Sequence, residues 1–256
     1  MKGNAMKRTF ILLLALLVLT GCRKQEVPES IPMTEETVAT VQTEPSVPPT
    51  EAPTVPPATE PETVPTELPE PESDDVFVRV LDYIPTAQQE LRYATENNFT
   101  GQGIYPFKDA YLRYGTVRKL KLVSEDLAEL GLYIKIWDGF RPVSAQFTLW
   151  KVYPDPNYVA NPNKGFSSHS RGNTIDLTLV DENGLEIEMP TGFDDFSAKA
   201  DRNYSDCEEI AANNSCLLES LMEKHGFTGY YGEWWHYSDT TSYQVDHVFE
   251  PPVITE

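Results

Sequence analysis

Basic residues are scarce in this sequence. Its 256 residues include 20 Lys and Arg against 40 Asp and Glu, a net charge of −20. No basic stripe is left to neutralise phosphates, which argues against a nucleic-acid partner. Cysteines number three and histidines four. No cysteine pair has CxxC spacing, so nothing supports a zinc site built on thiolates. The HExxH helix motif and internal repeats are absent as well. The apolar run from Phe10 to Leu19 is 10 residues, too short for a membrane-spanning helix, which needs ~20. The poorest stretch of all runs from Gln25 to Asp75. It has no Lys, Arg or aromatic residue, but 13 acids, 12 prolines and 9 threonines. Such a segment cannot bury enough apolar surface to offset its ordering entropy, and it is expected to be disordered.

What is present divides into three parts. Lys2, Lys7 and Arg8 precede the apolar run, which ends at Leu19-Thr20-Gly21-Cys22. Basic residues ahead of a short apolar stretch read as a secretory signal over residues 1–21. The last four residues resemble the bacterial lipobox, which implies lipidation of Cys22 and an exported protein anchored to the outer face of the cytoplasmic membrane. The alternative is a plain signal peptide with an incidental cysteine. Residues 22–75 then form a Pro/Thr/Glu-rich tether, extended by its prolines and by like-charge repulsion. It is either a spacer that gives reach or a generic solubilising linker. Residues 76–256 are long enough for one globular domain.

Within that domain, Val117, Leu120, Val123, Leu127 and Leu130 fall at helical spacing, with Gly131 as a stop, and predict a helix over 115–130. Residues 132–137 and 173–180 read as strands, and 217–225 as a second helix. The aromatic-rich 227–237 reads as a strand interrupted near Gly229 and Gly232. Without βαβ alternation, the expected class is α+β. Cys207 and Cys216 are either joined as a disulfide, which export permits, or two free thiols.

Two of the four histidines keep unusual company. In Ser167-Ser168-His169-Ser170-Arg171-Gly172-Asn173-Thr174-Ile175-Asp176, a glycine turn separates His169 from a strand on which Asp176 faces away from Ile175 and Leu177. The apolar face is expected to pack inward, and Asp176 needs a partner if its own face is covered. Downstream, Gly232-Glu233-Trp234-Trp235-His236 lets Glu233 and His236 face one cavity if the backbone is irregular there. Two histidines and a carboxylate suit a catalytic zinc with one open position. A neighbouring glutamate then serves as general base and an arginine as oxyanion partner. The competing reading is a surface aspartate beside two ordinary histidines.

Ser-x-His-x6-Asp followed far downstream by Glu-x-x-His resembles the VanX-type D-alanyl-D-alanine dipeptidases and their D,D-carboxypeptidase relatives. Arg92-Tyr93-Ala94-Thr95 with Asn97-Asn98-Phe99-Thr100-Gly101, Trp137-Asp138-Gly139-Phe140-Arg141-Pro142 and Thr191-Gly192-Phe193-Asp194 are similar to further segments of that family. The resemblance spans about residues 80–240. It implies a single zinc-peptidase domain with a central, mainly antiparallel sheet flanked by helices. It further implies one Zn2+ per chain on His169, Asp176 and His236, with Glu233 as catalytic base and Arg141 steadying the oxyanion. Tyr93 and Asp194 are then expected at the substrate's amino end, and Ser167 near its carboxylate. Other readings stay open: Arg141 as a structural partner of Asp138, Tyr93 as a core residue, and Asp195 in place of Asp194. The implied activity is cleavage of D-Ala-D-Ala or a similar small dipeptide. A D,D- or L,D-carboxypeptidase trimming stem peptides is the alternative, and a non-catalytic wall-binding lipoprotein is the alternative of another class.

Overall fold

The computed structural model describes residues 68–156 and 158–253. The expected signal, Cys22 and the tether as far as Glu67 lie outside the described residues. In chain order come β1 (Phe77–Arg79), α1 (Val80–Tyr83), β2 (Gln88–Gln89), β3 (Tyr111–Arg113), α2 (Tyr114–Ala128), β4 (Tyr133–Asp138) and α3 (Val143–Val152). They are followed by β5 (Thr174–Val180), α4 (Glu209–Lys224), β6 (Phe227–Tyr230) and β7 (Glu233–Asp239).

The five-stranded sheet has the order β2-β4-β5-β7-β6, and a separate ribbon pairs β1 with β3. Only β2 and β4 run parallel; the other pairs are antiparallel. The fold is therefore α+β, as the missing βαβ alternation implies, with the mainly antiparallel sheet that the family resemblance implies. On α2, Val117, Leu120, Val123 and Leu127 form one stripe that is wholly buried, each side chain contributing about 1.5–3 kcal/mol. Leu130 does not belong to this stripe. The helix ends at Ala128, Gly131 takes a left-handed φ of 70°, and Leu130 is left exposed.

Three elements depart from the sequence pattern. α4 begins at Glu209 rather than near Leu217. Its first half buries only Ala211 and Ser215, so no apolar stripe announces it. α3 follows Pro142 directly and buries only Ala145, Gln146 and Leu149. β5 is buried at all seven positions, on both faces. Thr174, Asp176 and Thr178 are therefore covered, and any charge among them needs a partner. Cys207 is a free thiol, so it is not joined to Cys216.

The domain already engages the chain at Asp74 and Asp75. Gly115 N donates to Asp74 O, Arg118 pairs with the Asp74 carboxylate at 3.2 Å, and Arg113 Nη1 donates to Asp75 O.

Candidate active site

Strand register brings the first functional groups together. Asp176 lies opposite His236 of β7 on one side and opposite Asp138 of β4 on the other. Cross-strand partners share a face of the sheet, so these three side chains form a row. A register shift between Ile136 and Asp138 sets the β4 end of the row. His169 joins from a 3-10 turn over Ser168–Arg171, which Gly172 closes at φ 76°. A Cβ at Gly172 would lie 2.3 Å from the Phe77 ring, so the turn needs glycine for space as well as for φ.

On a regular strand Glu233 and His236, three residues apart, would face opposite sides. β7 is not regular. Gly229 pairs with Tyr237, yet the next β6 residue, Tyr230, pairs with Glu233. The intervening bulge buries both Trp234 and Trp235 and leaves Glu233 and His236 lining one cleft. Glu233 Oε2 comes within 3.5 Å of His236 Nδ1.

The donor set fits a metal ion. His169 Nδ1 donates to Gly139 O at 2.8 Å, a carbonyl that can only accept, so Nε2 carries the lone pair. His236 Nε2 faces Ser168 Oγ at 3.4 Å, and Nδ1 turns toward His169 and Asp176. These two ring nitrogens are 3.4 Å apart. They sit 3.3 and 3.0 Å from the two oxygens of Asp176. Asp176 Oδ1 is buried without a hydrogen-bond partner. All three donor atoms lie within 4.8 Å of one another. Converging lone pairs repel unless a cation stands between them, and outer hydrogen bonds of this kind fix the tautomers that metal-binding histidines need.

Arg141 does pair with Asp138, and it also lines the cleft. Nη2 donates to Asp138 Oδ2 at 2.6 Å, Nη1 to Gln146 Oε1 at 3.1 Å and Nε to Tyr105 Oη at 3.2 Å. Three of its five N–H groups are thus used, and the others remain available. Tyr105 in turn donates to Asp138 Oδ1 at 2.8 Å. Asp138 itself is fully buried. Truncating Arg141 or Asp138 would leave the other's buried charge unpaired. Sequence reading found Arg141 and Asp138 but missed Tyr105, Gln146 and Ser168. Gln146 sits on the unpredicted α3, so no local pattern marked it.

Tyr93 is buried, and its hydroxyl donates to Asp194 Oδ2 at 2.9 Å. Both residues line the same cleft of about 350 Å³. Burial pushes the Asp194 carboxyl up to about 8, against the Tyr93 hydrogen bond, which favours the anion. Asp194 is also the one non-glycine among the described residues at positive φ, 55°, a conformation that costs energy and tends to be kept at sites of function. Asp195 does something else: its Oδ1 accepts from Ser197 N at 2.7 Å and closes its own turn. Ser167 borders the cleft, but its Oγ accepts from His169 N and caps the 3-10 turn.

Comparison with known proteins agrees in kind. The family model described as D-ala-D-ala dipeptidase matches residues 74–254. The chain is 39% identical over 154 residues to the D-alanyl-D-alanine dipeptidase of Escherichia coli, covering 60% of this chain and 79% of that protein. It is 33% identical over 168 residues to that of Enterococcus faecalis, covering 58% and 83%. It is 29% identical over 201 residues to that of Streptomyces coelicolor, covering 69% and 98%.

Proposed function

The chain belongs to the D-ala-D-ala dipeptidase family and is a metallopeptidase, and from that membership we propose that it is a zinc enzyme hydrolysing D-alanyl-D-alanine or a similarly small dipeptide. The observation that carries this reading is the convergence of the His169, Asp176 and His236 donor atoms, with the Glu233 carboxylate beside them in one cleft. Two imidazoles and a carboxylate favour zinc and leave a coordination position open. When bound, zinc acts as a Lewis acid and makes water acidic near neutral pH. Glu233 takes the water's proton and returns it to the leaving amine. Arg141, held by Asp138, Gln146 and Tyr105 at the wall of the cleft, has N–H groups left over to meet the charge that develops on the carbonyl oxygen.

Asp194 and Tyr93 set the substrate's size. An ammonium arriving beside Asp194 draws the proton off a carboxyl that burial had kept neutral. An acylated nitrogen carries no such charge and cannot make the charged hydrogen bond to Asp194, a loss of about 1.5–3 kcal/mol. Free D-Ala-D-Ala should therefore be cleaved with a kcat/KM at least about tenfold above release of terminal D-Ala from a pentapeptide. Asp194→Asn should raise KM for the dipeptide roughly tenfold with little change in kcat. Parallel assays on both substrates test this. Activity confined to the pentapeptide would replace the dipeptidase reading with a carboxypeptidase acting on stem peptides.

We further propose that the protein is exported and lipid-anchored to the outer face of the membrane through Cys22. The support is the order Lys2, Lys7, Arg8, apolar run, Leu19-Thr20-Gly21-Cys22. The tether then holds the enzyme toward wall-derived peptides. Cells fed a labelled fatty acid should label the wild-type protein and leave Cys22→Ala unlabelled. Equal labelling of both would remove the anchor.

A further inference from the structure

The bulge that turns Glu233 and His236 into one cleft needs support, because it breaks the ladder between β6 and β7. Backbone carbonyls of a buried segment must find donors elsewhere. One guanidinium supplies them. Arg202 Nη2 donates to Glu233 O at 3.2 Å, Trp234 O at 3.1 Å and His236 O at 3.0 Å. Nε donates to Tyr230 O at 2.9 Å, on the β6 side of the gap. Nη1 donates to Tyr237 Oη at 3.1 Å, and the Glu219 carboxylate lies 3.4 Å away. The backbone of Arg202 is anchored too, its N–H donating to Tyr231 O at 2.9 Å. The Arg202 side chain is only 7% exposed. Gly229 makes the room: a Cβ there would lie 2.2 Å from Arg202 Cζ.

We propose that Arg202 is a positioning residue for the reaction. It does not line the cleft. It acts through the main chain of Glu233 and His236, holding the base and one metal-binding imidazole on the same side of an irregular strand. A lysine cannot replace it, because a single ammonium lacks the planar fork that reaches both edges of the gap. The inference rests on the roles given above to Glu233 and His236.

The test uses the full-length protein and three variants, Arg202→Met, Arg202→Lys and Gly229→Ala. The last displaces the guanidinium instead of removing it, and it decides the matter if the arginine variants fail to fold. The readouts are kcat and KM for D-Ala-D-Ala, zinc affinity by competition with a chromogenic chelator, and thermal unfolding of the metal-free protein. We expect kcat to fall about 10²-fold and zinc affinity at least tenfold, with KM within about threefold of wild type and no rescue by lysine. Variants that melt earlier but keep wild-type kcat and zinc affinity overturn the proposal and leave Arg202 a structural residue. The failure of the underlying reading looks different: in that case Glu233→Gln is as active as wild type, whatever the Arg202 variants do.

Discussion

Glu233→Gln is expected to lose about 10³-fold in kcat while keeping its full complement of metal. Glu233 stands 3.5 Å from His236 Nδ1 yet lies outside the set of three converging donors. Glutamine preserves its volume and its neighbours, but it cannot accept a proton from water. Burial holds the Glu233 carboxyl above the ordinary glutamate range, with the His236 imidazole pulling it down and the Asp176 carboxylate adding to the rise. A base with a raised pKa suits proton transfer at neutral pH better than an ordinary carboxylate. KM should change little, because the change removes an interaction made in the transition state. Rates of D-alanine release set beside metal content per chain decide the point. Turnover close to wild type would remove the general-base role, and loss of metal would move Glu233 into the ligand set.

The same cluster shows where sequence reasoning succeeds and where it stops. The α2 stripe and strand β4 were legible because burial on one side writes a period into the residues, and β5 because its residues alternate between apolar and polar although both faces are buried. His169, Asp176, Glu233 and His236 were legible because their residue types are rare together and their motifs occur in order. The geometry between them was not. Asp176 meets His236 and Asp138 only through pairing across three strands, which no local spacing records. The condition that β7 be irregular was visible, since Glu233 and His236 are three apart, but the groups that support the irregularity come from other parts of the chain. Arg202 sits in a loop with no apolar pattern around it, and Gln146 sits on a helix whose stripe is too short to read. Both are local choices whose purpose is set by tertiary structure. The central strand left one point open for the same reason. The alternation of Thr and Asp does not say whether their face is covered; β5 is buried on both faces, and Asp176 lies 3.3 and 3.0 Å from the two histidine nitrogens beside it.

Removing one of those histidines should have the largest effect of all. His169→Ala is expected to hold less than about a tenth of one zinc per chain and to show no turnover above background. The protonation of the metal-free site adds a test that activity alone does not provide. Burial opposes charge on the His169 imidazole, but the Asp176 and Asp138 carboxylates outweigh it and raise its pKa. A raised imidazole pKa stabilises the folded metal-free protein at low pH, and this contribution is lost as the pH rises through the raised value. Metal binding has the opposite sign, because a protonated imidazole cannot be a ligand and affinity falls as the pH drops through the same value. The difference in melting temperature between zinc-loaded and chelator-treated wild type should therefore widen from pH 6 to pH 8. In His169→Ala it should be small at both. Calorimetry at the two pH values, with and without zinc, reads this directly. A gap independent of pH in the wild type, or a full gap in the variant, would show that His169 is not the residue on which proton and metal compete.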